Sequence, residues 1–229
     1  MAAVAADRFI VVQGKRWPCA APVQQGEDIG LVFPALHLRV HPTRWIVLHW
    51  TGAENAPRDV HRNMLGHRSR KTGRPEPLSV HFVVDQHGGI VQLMDAQARA
   101  AHCAAHGGNA FGVGIEIISR GSDLTRSPRG FYRPLRTETI HGRQVTYADF
   151  LDAQVVAVTQ LVQALCDAYA LPLCAPLEPD GRVMSGALSV AELEQYRGPL
   201  GHYCLEPGKV DPGPELLRLI AAAGPGKVA

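Results

Sequence analysis

Only one stretch of this sequence sustains a long helical period, and the rest of the fold has to be arranged around it. In "TYADFLDAQVVAVTQLVQALCDAYALP" (146–172), Leu151, Val155, Val158, Val162, Leu165 and Tyr169 recur at spacings of four and three, an apolar stripe down one helix face. Thr146 and Asp149 read as a capping box with Asp in place of Glu, and Pro172 reads as the stop. Such a stripe needs an apolar partner, and short β-branched runs supply it. "RWIVLHW" (44–50) and "FGVGIEII" (111–118) read as strands, the glycines of the second permitting close backbone approach. "LSVHFVVD" and "GIVQLM" flank "QHGG" and read as a hairpin. "TGAENAPRDVHRNMLGHR" predicts a helix of about three turns, with Asn55 as cap, Pro57 in the first turn, and Val60, Met64 and His67 on one face. The order β, α, several β, α predicts an α/β fold: a single domain with a central mixed β-sheet flanked by helices. The 229 residues suit one well-buried domain.

Outside that frame the sequence is less regular. Residues 1–43 hold one β-like run, "RFIVV", and are expected to form an N-terminal extension packed on a main domain of residues 44–229. Residues 119–145 carry six arginines against two acids with no period, which predicts a long surface insertion; 173–189 reads as a second long loop. A short helical piece (190–196) and a closing helix, "PELLRLIAAA", follow. A formal net charge of +2 gives no argument for a nucleic-acid partner, and no run approaches the length of a membrane span. Asp7 and Arg8 interrupt the place where a secretory signal needs apolar residues, so a cytoplasmic protein is expected. Five scattered cysteines, at 19, 103, 166, 174 and 204, do not read as a disulfide framework. A monomer is expected.

Chemistry-bearing residues gather in "GHYCLEPGKVDPGP" (201–214). There His202, Cys204, Glu206, Lys209 and Asp211 lie on a segment stiffened by glycine and proline. His49 lies near the end of the strand "RWIVLHW" and shares a sheet face with Val47. Imidazole and carboxylate suit zinc, and a catalytic zinc keeps three protein ligands and a water. Each residue also has a plain reading. His49 alone could be a satisfied core histidine, and Lys209 a solvated loop lysine. Glu116, in "VGIEII", is costly to bury without a partner, unless its strand is an edge. Cys204 rivals Asp211 as a ligand, although chelation two residues from His202 needs an awkward turn.

Four segments, "IVLHWTG", "LSVHFVVDQHGGIVQL", "AHCAAHGGNAFGVGIEI" and "GHYCLEPGKVDPGP", occur in an order that resembles the zinc-dependent N-acetylmuramoyl-L-alanine amidases. That family includes the peptidoglycan-recognition proteins, phage amidase lysozymes and a cytoplasmic amidase that recycles anhydromuropeptides. The resemblance covers roughly residues 44–222. It implies one Zn²⁺ in a surface cleft, held by His49, His202 and Asp211. It implies that Glu116 takes a proton from water and passes it to the departing amine, and that Lys209 faces the reacting carbonyl. His102 would line the substrate cleft, and Asn109 would organise the same loop or contact the substrate, which would be peptidoglycan or a muropeptide cut between the lactyl group of N-acetylmuramic acid and L-alanine. A wall-degrading, endolysin-like member would reach its substrate through another protein's pore. This chain departs from the pattern in two places: "PGKVDPGP" is one residue shorter than the recycling enzymes' loop, and Val80 stands where the phage enzymes have tyrosine. The alternative is a non-catalytic muropeptide-binding module, which typically lacks part of the zinc set. His81 is expected to be structural or to support the ligands. His61, His67, His87, His106 and His141 are expected at the surface. The arginine-rich insertion is either a solvated loop or an attractor for anionic wall polymers.

Overall fold

The computed structural model describes residues 6–34, 37–69, 71–124 and 132–224. A seven-stranded mixed sheet runs through the molecule. Its strands are β1 (Asp7–Val12), β2 (Lys15–Gln25), β3 (Trp45–Trp50), β4 (Phe82–Val84), β5 (Ile90–Gln92), β6 (Gly112–Ile117) and, numbered to follow the hairpin below, β9 (Gly198–Gly201). Their spatial order is β1-β2-β5-β4-β6-β3-β9. The β1/β2 and β4/β5 pairs are antiparallel, while β4, β6, β3 and β9 run parallel. A separate antiparallel hairpin is formed by β7 (Leu135–Ile140) and β8 (Arg143–Ala148). The helices are α1 (Pro57–Leu65), α2 (Gly108–Phe111), α3 (Asp152–Tyr169), α4 (Val190–Gln195), α5 (His202–Leu205) and α6 (Pro214–Ala222).

Two apolar layers follow from strand alternation. Phe82, Val84, Ile115 and Ile117 face the larger core, which α3 completes with Val158, Leu161, Val162 and Leu165, and α6 with Leu216, Leu217 and Ile220. Burying each such side chain is worth about 1.5–3 kcal/mol. Val83 points the other way, into a smaller core with Val60 of α1, Val80, Val91 and Ile118. Glu116 pairs in register with Val83, and His49 pairs with Glu116. Both polar side chains therefore emerge on the thinly covered α1 face. Among the described residues, no helix is long and apolar enough to cross a membrane.

The expected mixed sheet with flanking helices is observed, and the differences lie at its margins. Residues 7–25 form two strands that extend the sheet, where the sequence reads as a largely irregular extension. In β2, Cys19, Ala21 and Val23 are buried in alternation, while Pro18 and Pro22 face out. Pairing with β5 begins only at Val23, past both prolines, so no ladder hydrogen bond to β5 is lost. The long helix starts at Asp152, six residues later than Thr146. Thr146 lies in β8, its hydroxyl 2.8 Å from that of Thr137 across the hairpin, and Gln154 turns back to accept from the Leu151 amide. β-Branched Val145 and Thr146 favour the strand here. Asn55 does not cap α1; Asp59 accepts from the Ala56 amide instead.

The arginine-rich insertion is not simply a solvated loop. Residues 125–131, with Arg126 and Arg129, lie outside the described part, but Arg133 is 3% exposed and wholly engaged. It donates to Glu54, Gln154 and the carbonyls of Ile118 and Asp149. Arg136 pairs with Asp149 at 2.7 Å. Arg133 is thus committed to the fold, while Arg136, 35% exposed, makes its ion pair at the surface.

Candidate metal centre

Three parallel strands deliver the site. His49 sits one residue from the end of β3, Glu116 one residue from the end of β6, and His202 directly follows β9. Leu48 pairs with Gly201 and His49 with Glu116, so the three side chains are brought side by side at the carboxyl ends of adjacent strands. In open α/β sheets that is where ligands bind. Asp211 arrives on the loop after α5, and the Tyr203 amide donates to its carbonyl at 3.1 Å.

His49 Nδ1, His202 Nδ1 and Asp211 Oδ2 form a triangle with sides of 3.0, 3.2 and 3.3 Å. Ligands about 2.0–2.1 Å from a tetrahedral zinc ion stand about 3.3 Å apart, so the donor set fits that ion closely. Among the described residues this is the one group of three or more such donors drawn together. The donors are buried, His49 at 3%, His202 at 6% and Asp211 at 7% exposure. Cys204 is outside the triangle; it is fully buried in the core and its thiol is pushed up to about 12, first by burial. Its place as a helix residue facing the core, not the loop, explains why it cannot replace Asp211.

The electrostatics are those of a cation site. Burial disfavours a charged Asp211, yet hydrogen bonds from His202 and His49 overcome it and hold the carboxyl below the usual carboxylate range. Burial likewise opposes charge on His202, but Asp211 outweighs it and raises the imidazole. His49 goes the other way, lowered by burial. The proton shared by His202 and Asp211 is what a bound cation would replace. Glu116 is raised to about 8, by burial first and then by Asp211. Its Oε2 is buried without a hydrogen-bond partner, as are Nε2 of His202 and Nε2 of His102. Native proteins rarely leave so many polar atoms unsatisfied in one place.

The other expected residues frame this centre. His102 Nδ1 lies 3.0 Å from His49 Nε2, which fixes that imidazole by the nitrogen turned away from the triangle. Its own ring lies flat on Gly114, where a Cβ would come within 2.7 Å of it. Asn109 Oδ1 accepts from the amides of His102 and Cys103, at 2.8 and 2.7 Å, and so shapes the loop that carries His102. The contacts of both residues are thus internal. His81 is structural: it donates to the Ala98 carbonyl and accepts from the Gly114 amide. Lys209, half-buried in the turn after α5, directs its positive field at Glu116 and His49, lowering both.

Beside Glu116 opens a cavity of about 220 Å³, lined also by Thr51, Asn63, Met64 and His67. His67 was expected at the surface, although its position four residues after Asn63 puts both on the same side of the α1 segment. His141 was expected there too, yet it donates to the Lys209 carbonyl at 2.9 Å. No local sequence signal marks that contact.

Comparison with known proteins agrees with this arrangement. Residues 39–214 match the family model described as N-acetylmuramoyl-L-alanine amidase. No curated protein sequence matches. Among solved structures, the Ph2119 endolysin from a Thermus scotoductus MAT2119 bacteriophage is similar at 17% identity and a TM-score of 0.51, covering 89% of this chain and 99% of the endolysin. Drosophila PGRP-LB is similar at 16% identity and a TM-score of 0.49, covering 89% of this chain and 95% of that one. The amidase LysC from Clostridium intestinale URNW is similar at 14% identity and a TM-score of 0.48, covering 85% and 90%.

Proposed function

This chain belongs to the N-acetylmuramoyl-L-alanine amidase family, and from that premise we propose that it hydrolyses the amide between the lactyl group of N-acetylmuramic acid and L-alanine in peptidoglycan or muropeptides. The observation that carries the reading is the donor triangle with an unpartnered glutamate beside it. A pure binding module has no use for both.

His49 Nδ1, His202 Nδ1 and Asp211 Oδ2 are the proposed ligands of one zinc ion. Bound there, zinc would polarise the scissile carbonyl and bring the pKa of water to about 7. Glu116 takes the proton of the attacking water and hands it to the alanine nitrogen as the C–N bond breaks. Its raised pKa suits a group that must both accept and donate. In the field of a cation held by the three donors, Glu116 falls back towards the carboxylate form that starts the cycle. The Lys209 ammonium stabilises the negative charge that develops on the carbonyl oxygen. His102, through His49 Nε2, holds the imidazole in the tautomer that leaves Nδ1 free to ligate. The cavity bordered by Thr51, Asn63, Met64 and His67 receives substrate next to Glu116.

The test is digestion of purified peptidoglycan and of soluble muropeptides, with and without a chelator, with products read by mass spectrometry. Stem peptides beginning at L-alanine, lost on chelation and restored by zinc, are the expected result. A zinc-loaded protein that cleaves neither substrate would leave a binding module.

A further inference from the structure

The β7–β8 hairpin lies outside the main sheet, yet its contacts converge on the segment that carries Lys209 and Asp211. At its tip, His141 Nε2 donates to the Lys209 carbonyl at 2.9 Å, and the His141 amide donates to the Ser185 carbonyl at 2.8 Å. Further along, the Tyr147 hydroxyl donates to Glu138, and the pair closes over Gly213, where a Cβ would stand 2.5 Å from that hydroxyl. Arg136 reaches Glu215 at 3.7 Å. Tyr147 also packs on Trp50, next to His49, with ring centroids 5.1 Å apart. The hairpin therefore touches the chain on both sides of Asp211, at Lys209 before it and at Gly213 and Glu215 after it.

The tip itself is unusual. His141 and Gly142 form a two-residue turn in which both have positive φ, 51° and 71°. Such a turn favours Asn-Gly. A side chain rarely adopts the left-handed region. A strained residue persists where its surroundings over-determine it, and here the side chain is committed to the Lys209 carbonyl.

We propose that His141 is a positioning residue: it clasps the backbone at Lys209 and so fixes where that ammonium is presented. The proposal rests on the amidase reading for its effect on catalysis, but the clasp can be measured without it. His141→Asn supplies the favoured turn pair while leaving a side chain too short to reach the carbonyl. His141→Gln keeps an N–H donor near the position of Nε2. A merely structural histidine predicts that His141→Asn keeps or raises Tm and leaves everything else alone. A clasp predicts that His141→Asn keeps Tm, speeds amide exchange across residues 206–210 about tenfold, and lowers kcat about tenfold with KM held within about twofold; misplacement of a catalytic group by 1 Å is enough for such a loss. His141→Gln should recover most of both. In a Lys209→Ala background, His141→Asn should cost less than about twofold more, because the group it aims is gone. Unchanged exchange in His141→Asn would overturn the proposal, as would equal losses in the Lys209 and Lys209→Ala backgrounds. If the wild type cleaves no substrate but exchange still rises in His141→Asn and recovers in His141→Gln, the clasp stands and the amidase reading falls.

Discussion

Two buried polar clusters hang from the end of the same strand, and they are finished differently. Around Glu54, five residues beyond His49, Arg133 spends four hydrogen bonds on Glu54, Gln154 and two carbonyls. Around His49, the triangle of donors leaves Nε2 of His102 and Oε2 of Glu116 without hydrogen-bond partners, and Nε2 of His202 with only a 3.4 Å approach to Glu206. The first cluster is closed, and nothing can be added to it. The second is open, and its free valences point to what is added in use. Burial and charge are common to both, so neither separates structure from chemistry; the donor triangle with an unpartnered carboxylate oxygen beside it does.

The largest expected effect comes from closing the open cluster. Glu116→Gln keeps the shape but removes the proton carrier, and turnover should fall about 10²–10⁴-fold. Stability should not fall, since a half-buried carboxylate whose Oε2 is buried without a hydrogen-bond partner is a burden to the fold; urea melts of both proteins check this. A Glu116→Gln variant that is both active and destabilised would erase the contrast.

Opening the closed cluster should do the reverse. Arg133→Met removes the buried ion pair with Glu54 and is expected to cost about 3–5 kcal/mol. Adding Glu54→Leu should return most of that loss, which chemical denaturation of the single and double variants can measure. Activity per folded molecule should change far less than in Glu116→Gln.

Metal removal sharpens the comparison from the other side. Zinc at 100 times its dissociation constant should stabilise the wild type by about 2.7 kcal/mol. His202→Ala should lose that gain, and Arg133→Met should keep it. Thermal melts with zinc and with chelator separate the two outcomes.

The sheet and the central helix were legible because their signals are local or repeated, and the donor set because four segments stand in the order that resembles the amidase family. Strand and helix periods run along neighbouring residues, and His49, Glu116, His202 and Asp211 stand at strand ends and in a proline-stiffened loop. What was not legible depends on partners remote in sequence. The alternating Cys19, Ala21 and Val23 of β2 are small and are masked by Pro18 and Pro22, so the strand shows itself only once β1 and β5 are beside it. Arg133 reads as one cation of a basic loop until Glu54 and Gln154 close on it. His141 meets a backbone carbonyl 68 positions away, and a carbonyl leaves no mark in a sequence.

His81 supplies the smallest and most graded test, because it is a histidine of the closed kind set 5.9 Å, ring to ring, from His102 of the open cluster. Both its nitrogens are matched, to the Ala98 carbonyl and the Gly114 amide. Burial, and then the charge of Arg39, lowers its folded-state pKa to about 3. Below pH about 6.5 the unfolded chain binds a proton here that the folded chain refuses. The stability that His81 contributes is therefore complete above pH 6.5 and drains away as pH falls towards 3, at about 1.4 kcal/mol per pH unit. His81→Gln loses the acceptor for the Gly114 amide and should be less stable than the wild type at pH 7.5. It also lacks the titration, so the gap between the two proteins should narrow by that slope between pH 6 and pH 4.5. Denaturant melts in the presence of chelator keep the metal ligands from adding their own proton balance to the difference. Parallel curves would mean that His81 takes up its proton in the folded state, and that the boundary between closed and open clusters lies one ring closer to the sheet than drawn here.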